Sequence, residues 1–419
     1  MKFLFASDSF KGTLSSARIA ELLTTAAKES FPDCICTSVE TADGGEGTTD
    51  AVLCAVKGER IPLTVCGPLW KPTDCFYGKL DENRAIMEMA AASGLPLLSE
   101  TERNPAKTTT YGTGEMIRDA LAHGFRDISI AIGGSATNDG GMGCMCALGV
   151  RFLDENGREL EGCGENLGKI SRIDLSELDP RVSKTKFTVM CDVNNPLCGE
   201  NGATYTFGPQ KGGSPELLNE LESGMLHYRE LLLKVFQVDV NEIPGAGAAG
   251  GLGAALVVFL NATLKSGIET VLDLVDFDSR LQGVSLVVTG EGRTDWQSAF
   301  GKVLHGVGMR SKKIWDSCCG ACRFHGTRGR KNLRVRNRLN PDYSQCPHGT
   351  AYSAGTGGRI VSKCSETSVS YAESRKSNAG NKVESLIRTG VFRHWHPVHG
   401  RKFQSDDFLC LKGIQEMRY

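Results

Sequence analysis

Ile128-Ser129-Ile130-Ala131-Ile132-Gly133-Gly134-Ser135-Ala136-Thr137-Asn138-Asp139-Gly140-Gly141 is the stretch that decides the fold. A short apolar run stops abruptly in glycines laced with Ser, Thr, Asn and Asp. The same pattern recurs along the chain. Met1–Ala6 runs into Ser7-Asp8-Ser9-Phe10-Lys11-Gly12-Thr13, and Ser38–Thr41 into Ala42-Asp43-Gly44-Gly45-Glu46-Gly47-Thr48. Phe187–Cys191 runs into Asp192-Val193-Asn194-Asn195, and Val284–Thr289 into Gly290-Glu291-Gly292-Arg293-Thr294-Asp295. Apolar runs bounded in this way read as buried parallel strands. Helical patterns follow several of them, as at Ser16–Glu29, where Ser15 is placed to cap the first turn. Strands alternating with helices predict an α/β fold with a parallel sheet.

In open α/β sheets, ligands gather at the carboxyl ends of the strands. Glycines there let backbone amides approach a phosphate, and helix N-termini favour its charge. Carboxylates on neighbouring strand ends suit Mg²⁺ binding or proton transfer from a hydroxyl. Gly133, Gly134, Ser135, Asn138 and Asp139 form a loop far richer than a plain turn requires, which points to ligand contact. Gly44 and Gly45 beside Glu46 point the same way. Asp8 and Asp43 suit either a helix cap or a ligand, and Asp192 suits either an Asx turn or a general base. The set reads as a phosphate-handling site.

A rival motif lies in Pro244-Gly245-Ala246-Gly247-Ala248-Ala249-Gly250, a literal G-x-G-x-x-G with Glu269 further on. That is the dinucleotide fingerprint, and it would make the protein a nicotinamide-dependent oxidoreductase using Gly245, Gly247 and Gly250. The strand it needs is poor, because Val238–Pro244 carries acids and ends in proline.

The net charge of −1 conceals a division at Lys312-Lys313. Up to and including Lys313 stand 30 Lys+Arg against 41 Asp+Glu, and after it 18 against 8. Five of the eight His and six of the 16 Cys fall in the tail. The Lys-Lys-Ile codons are compatible with a run of A. Dropping one base at Ile314 turns Ile314–Gly326 into text compatible with Tyr-Gly-Ile-Pro-Val-Val-Gly-Leu-Val-Gly-Ser-Met-Gly, a buried parallel strand. Residues 314–419 are therefore expected to be translated out of frame and disordered. On that reading Cys319-x-x-Cys322-x-x-His325 is a by-product of shifted codons rather than a metal site, and the Arg-rich Arg328–Arg338 stretch, with no stacking aromatics interleaved, is no nucleic-acid surface.

About 313 in-frame residues suffice for two modest domains with real cores. Met1–Ala6 lacks a signal-peptide charge pattern, and the apolar run Leu252–Leu260 is far too short to span a bilayer. The ten Cys before Lys312 show no framework spacing and sit largely in apolar contexts such as Cys54 and Cys191, which fits reduced thiols. The expectation is a cytoplasmic enzyme with no membrane or nucleic-acid partner.

Ser7–Gly12, Ala42–Thr48, Gly133–Gly143, Cys191–Leu197, Phe207-Gly208-Pro209-Gln210-Lys211-Gly212, Pro244–Gly253, Thr289–Gly292, Asp295-x-Gln297 and Gly301-Lys302 occur in this order. Together they resemble the bacterial glycerate kinase family, over essentially all of residues 1–313. The resemblance implies ATP- and Mg²⁺-dependent phosphorylation of D-glycerate, most often at the 2-hydroxyl. It implies a Rossmann-like domain from both chain ends (1–66 and 280–313) with a second α/β domain inserted (67–279), joined at Gly67–Pro72 and Phe277–Gly283.

Phosphoryl transfer needs positioning and charge neutralisation more than covalent chemistry. On that basis Lys11 and Lys302 would neutralise phosphate oxygens, Asp43 and Glu46 would hold Mg²⁺, and Arg293 would clamp the glycerate carboxylate. Asp192 would take the hydroxyl proton. Asp8, Ser9, Glu291, Asp295 and Gln297 belong with the substrate- and nucleotide-binding set. Thr294, Trp296 and Ala299-Phe300 depart from the family pattern. The tail departs more, and predicts a sheet without its last strands and a chain of impaired activity or none; the oligomeric state is open.

Overall fold

The computed structural model describes residues 1–10, 14–290, 303–319 and 407–411, with side chains placed up to residue 312. Two compact units divide it, one from Met1–Thr41 and Asp276–Tyr419, the other from Ala42–Val275.

In the first unit, β1 (Lys2–Phe5) pairs in parallel with β2 (Ile35–Ser38) on one side and β11 (Leu286–Gly290) on the other. Phe3, Leu4 and Phe5 are all buried, as is every residue of β11, the signature of interior parallel strands covered on both faces. The Ser16–Ser30 helix follows β1. Ser15 caps it by accepting the Arg18 amide at 3.2 Å, as the sequence predicts. Its Ile19, Leu22, Leu23, Ala26 and Ala27 recur at helical spacing and pack with Phe3, Phe5, Leu286 and Val288. The Val303–Cys319 helix crosses the Lys312–Lys313 boundary.

The expectation that this sheet loses its last strands meets a difference. β12 (Asp407–Leu411), from the far end of the tail, lies parallel beside β11 and makes the order β12-β11-β1-β2. The outer edge of β11 offers a row of backbone amides and carbonyls, and an extended segment of almost any sequence satisfies it. Apart from β12 and the helix to Cys319, the tail lies outside the described residues.

The second unit holds a six-stranded sheet in the order β10-β9-β6-β5-β4-β3. β5 (Arg84–Glu88), β6 (Asp127–Ala131), β9 (Lys186–Met190) and β10 (Thr263–Lys265) run parallel. β3 (Glu59–Cys66) and β4 (Pro72–Lys79) form an antiparallel hairpin on one edge. A small antiparallel pair, β7 (Arg151–Leu153) and β8 (Arg172–Asp174), stands apart. The core is built on Ile128, Ile130, Phe187 and Val189 from the sheet, with Met116, Met225, Tyr228, Leu252 and Leu256 from the covering helices.

The joint expected at Gly67–Pro72 is instead the turn of the β3–β4 hairpin. The Gly67 amide donates to the Lys71 carbonyl at 2.7 Å, and Trp70 takes a positive φ of 61°. Glycine and proline mark tight turns as readily as linkers, and the division falls earlier, between Thr41 and Ala42. Phe277–Gly283 does lie just past the second division, where Phe277–Arg280 is a short helix. The ten cysteines between Cys34 and Cys198 are free thiols; Cys191 is half-buried, whereas Cys54, expected in apolar surroundings, is exposed. Among the described residues no helix is long and apolar enough to cross a membrane.

Candidate active site at the strand ends

The predicted strand ends fall in two sheets. β1, β2 and β11 belong to the first unit, β6 and β9 to the second. In the first unit the Asp8 amide donates to the Gly290 carbonyl at 2.9 Å, and the Ser9 amide to Asp8 Oδ1 at 2.6 Å. Asp8 and Ser9 are half-buried at this junction. Lys11, Glu291, Arg293, Asp295, Gln297 and Lys302 lie outside the described residues.

In the second unit, β6 emerges into Gly133 and Gly134, both exposed, and the chain then dives so that Ser135–Gly140 are buried. Gly134 adopts φ 76°, a left-handed turn that suits glycine. Asp139 is the keystone of this loop. One carboxylate oxygen accepts the Thr110 amide at 2.8 Å, the Thr110 hydroxyl at 2.7 Å and the Gly143 amide at 3.2 Å; the other accepts the Gly141 amide at 3.1 Å. Burial pushes its carboxyl above the usual range, against these donors, which pull it down. Asp139 thus shapes the loop from beneath. Asn138 is likewise buried, and its amide donates to Thr204 Oγ1 at 3.2 Å.

Asp192 follows β9 and is exposed. Its Oδ1 accepts the Gly267 amide at 2.9 Å, so it caps the Gly267–Leu274 helix that follows β10. The Asp43–Gly45 loop lies alongside. A Cβ added to Gly44 would come within 3.1 Å of the Gly267 Cα and 3.2 Å of the Met190 Cβ, and one on Gly133 within 3.4 Å of the Gly44 carbonyl oxygen. Asp43, Gly133, Asp192 and Gly267 therefore belong to one cluster at the carboxyl ends of β6, β9 and β10. Within this unit the predicted residues do converge.

Two contributors were not foreseen. Glu88 ends β5, and its two carboxylate oxygens accept the Thr49 amide at 2.7 Å and the Gly47 amide at 3.2 Å. It thereby caps the Thr48–Val56 helix and holds the loop that carries Asp43 and Glu46. Burial pushes the Glu88 carboxyl up, against those two amides. Lys211 is the second, almost wholly buried beneath the Gly133–Gly141 loop. The Phe207–Gly212 motif contained it, but nothing in a sequence says that a lysine is inside.

Among the described residues, no three His, Cys, Asp or Glu side chains gather in a way that could hold a metal ion. Mg²⁺ commonly uses only one or two carboxylates, with waters and substrate phosphates completing its shell. Asp43 and Glu46 supply two carboxylates on one loop. Asp43 is half-buried with Oδ1 on the Gly45 amide at 3.3 Å, and Glu46 is exposed.

The dinucleotide reading of Gly245, Gly247 and Gly250 fails on geometry. A 3-10 turn at Val240–Glu242 precedes them where a strand is needed. A Cβ on Gly247 would meet the Pro196 carbonyl oxygen at 2.1 Å, and one on Gly250 the Thr137 carbonyl oxygen at 2.0 Å. These glycines admit the protein's own backbone rather than a pyrophosphate.

Comparison with known proteins settles the family. The model of the glycerate kinase family matches residues 3–327. The chain belongs to the glycerate kinase family. It is similar to the glycerate 2-kinase of Escherichia coli K12, at 47% identity over 76% of this chain and 84% of that one. The glycerate kinase of Bacillus subtilis 168 is 46% identical over 74% of this chain and 82% of its own. A crystal structure of a protein assigned as glycerate kinase 2 from Salmonella typhimurium LT2 superposes with a TM-score of 0.72, at 44% identity, covering 75% of this chain and 84% of that one. Membership of the glycerate kinase family makes the protein a kinase.

Proposed function

We propose that this chain transfers the γ-phosphoryl group of ATP to D-glycerate, at its 2-hydroxyl. The observation that carries the reading is the convergence of an exposed glycine turn (Gly133-Gly134), a carboxylate-bearing loop (Asp43, Glu46) and an exposed Asp192 at adjacent strand ends, in a chain 47% identical to a glycerate 2-kinase. In this reading the glycine turn receives phosphate oxygens through its amides. Asp43 and Glu46 hold Mg²⁺, which would neutralise charge on the transferring phosphoryl group. Asp192, kept in place by the Gly267 amide, accepts the hydroxyl proton. For the first unit the same reading assigns Lys11 and Lys302 to neutralising phosphate charge, Arg293 to the substrate carboxylate, and Asp8, Ser9, Glu291, Asp295 and Gln297 to substrate and nucleotide binding.

The tail belongs to the same proposal. Residues from about Ile314 onward are read one base out of register, and catalysis is impaired for want of the family's own C-terminus. The charge reversal at Lys312-Lys313 and the strand-like shifted text support this. Sequencing the gene across the Lys-Lys codons tests it, and an interrupted A-run would remove its basis. For the activity, the test is glycerate-dependent ADP release with the phosphorylated position identified by NMR. Product phosphorylated at the 3-hydroxyl would overturn the regiochemistry, and absence of any phosphoglycerate from a frame-corrected chain would overturn the reaction.

A further inference from the structure

Lys211 ends a 3-10 turn, Pro209–Lys211, and is 1% exposed. A lysine this deep is unusual unless it is paired. Its ammonium nitrogen donates to Ser135 Oγ at 2.9 Å and to the Thr137 carbonyl at 2.7 Å. Both acceptors lie on the loop whose first residues, Gly133 and Gly134, are exposed at the end of β6. The charge that acts on Lys211 is that of Asp139, on the same loop, and that carboxylate is already occupied by Thr110, Gly141 and Gly143. Its two hydrogen-bond acceptors are neutral, and Arg103 abuts the adjacent Gly212 through its backbone and Cβ. Neighbouring buried atoms, Thr137 Oγ1 and Asn138 Oδ1, have no hydrogen-bond partner among the described residues. Lys211 thus supports the loop from beneath through two hydrogen bonds, beside the strut that Asp139 provides.

We propose that Lys211 is a positioning residue for an anionic substrate group seated on the Gly133–Ser135 turn, holding the turn from beneath and taking up a proton when the anion arrives. The inference rests on the kinase reading above, because it needs an anion at this strand end. Burial holds the free amine down to about 7, against the pull of Asp139. An anion on the far side of the turn adds a second negative charge, and a nearby counter-charge favours the charged form of a lysine. Near pH 8 the free amine is mostly neutral, and an anion on the turn raises its protonated share. Ligand binding and proton binding are then linked, each strengthening the other.

The test is calorimetric titration of the full chain at pH 8, with Mg²⁺·ATP and D-glycerate in separate arms, each in two buffers of different ionisation heat. The expected result is net proton uptake approaching one per ligand in the arm whose anion sits on the turn. The uptake vanishes in Lys211→Met, which cannot take the proton, and in Lys211→Arg, which already holds it. Dissociation constants should weaken between pH 7 and 9 in the wild type and stay level in Lys211→Arg. Binding without proton uptake in both arms, or uptake that persists in Lys211→Met, would overturn the inference and leave the kinase reading standing. The same titration is run on the frame-restored chain, and failure of that chain to bind either ligand would overturn both. Wild-type binding without uptake overturns the inference by itself, and Lys211→Arg, which keeps a cationic donor, supplies the assignment if Lys211→Met fails to fold.

Discussion

Gly267 and Asp43 pack backbone to backbone: a single methyl group on the Gly267 Cα would lie 2.1 Å from the Asp43 carbonyl oxygen. Two loops from distant parts of the chain are thereby held at one strand end. Since the obstacle is backbone and not a flexible side-chain tip, Gly267→Ala must displace the Asp43 loop. Overpacking of this kind costs about 1–3 kcal/mol. We expect a lowered urea midpoint together with a weakened Mg²⁺ requirement or affinity. Wild-type stability and metal dependence in the variant would show that the approach has no role.

Asp139 gives a sharper stability prediction. Removing its carboxylate strands the Thr110, Gly141 and Gly143 amides in the interior, and unsatisfied buried donors cost about 1–3 kcal/mol each. Asp139→Ala should destabilise the second unit by on the order of 3–5 kcal/mol, read by denaturant unfolding. A loss under 1 kcal/mol would contradict its role as the strut of the loop.

Lys211 makes stability depend on pH with a definite sign. Its ordinary value is 10.5 and its buried value about 7. Across that window the unfolded chain holds a proton that the folded chain lacks, so the wild type gains stability as pH rises from about 7 towards 10.5. Below pH 7 both states are charged and the burial penalty is fully present. The difference in unfolding free energy between wild type and Lys211→Met should therefore shift in favour of the wild type as pH rises, and a flat difference would refute the buried, neutralised amine.

Asp192 can be separated from its capping duty by a conservative change. Asn retains an oxygen for the Gly267 amide but cannot act as a base. Asp192→Asn should lower kcat by about 10²–10⁴-fold with thermal stability almost unchanged. Lost stability with retained turnover would make the residue a helix cap alone.

The strand ends were legible because an apolar run that stops in glycine and acid has few other meanings. β6 with Gly133-Gly134 and β9 with Asp192 both stand where the pattern puts them. Glu88 was not legible. Its partners, Gly47 and Thr49, precede it by 41 and 39 residues, and only the fold brings them together. Lys211 was hidden for the opposite reason, since lysine defaults to the surface and its burial is a tertiary fact. The loop's composition points to Asp139 as a ligand contact, whereas its oxygens accept three amides and the Thr110 hydroxyl, partners that the sequence could not assign to it. The Gly67–Pro72 turn was misplaced because its residues punctuate chains without saying whether a hairpin or a boundary follows.

The central claim is tested most directly by following ADP formation and the product's phosphorus spectrum when D-glycerate and Mg²⁺·ATP are given to this chain and to the same chain with its tail restored to the alternative frame. The account predicts glycerate-dependent ADP and 2-phosphoglycerate from the restored chain, and at least a tenfold lower rate from the chain as it stands. No glycerate-dependent ADP from the restored chain would contradict it.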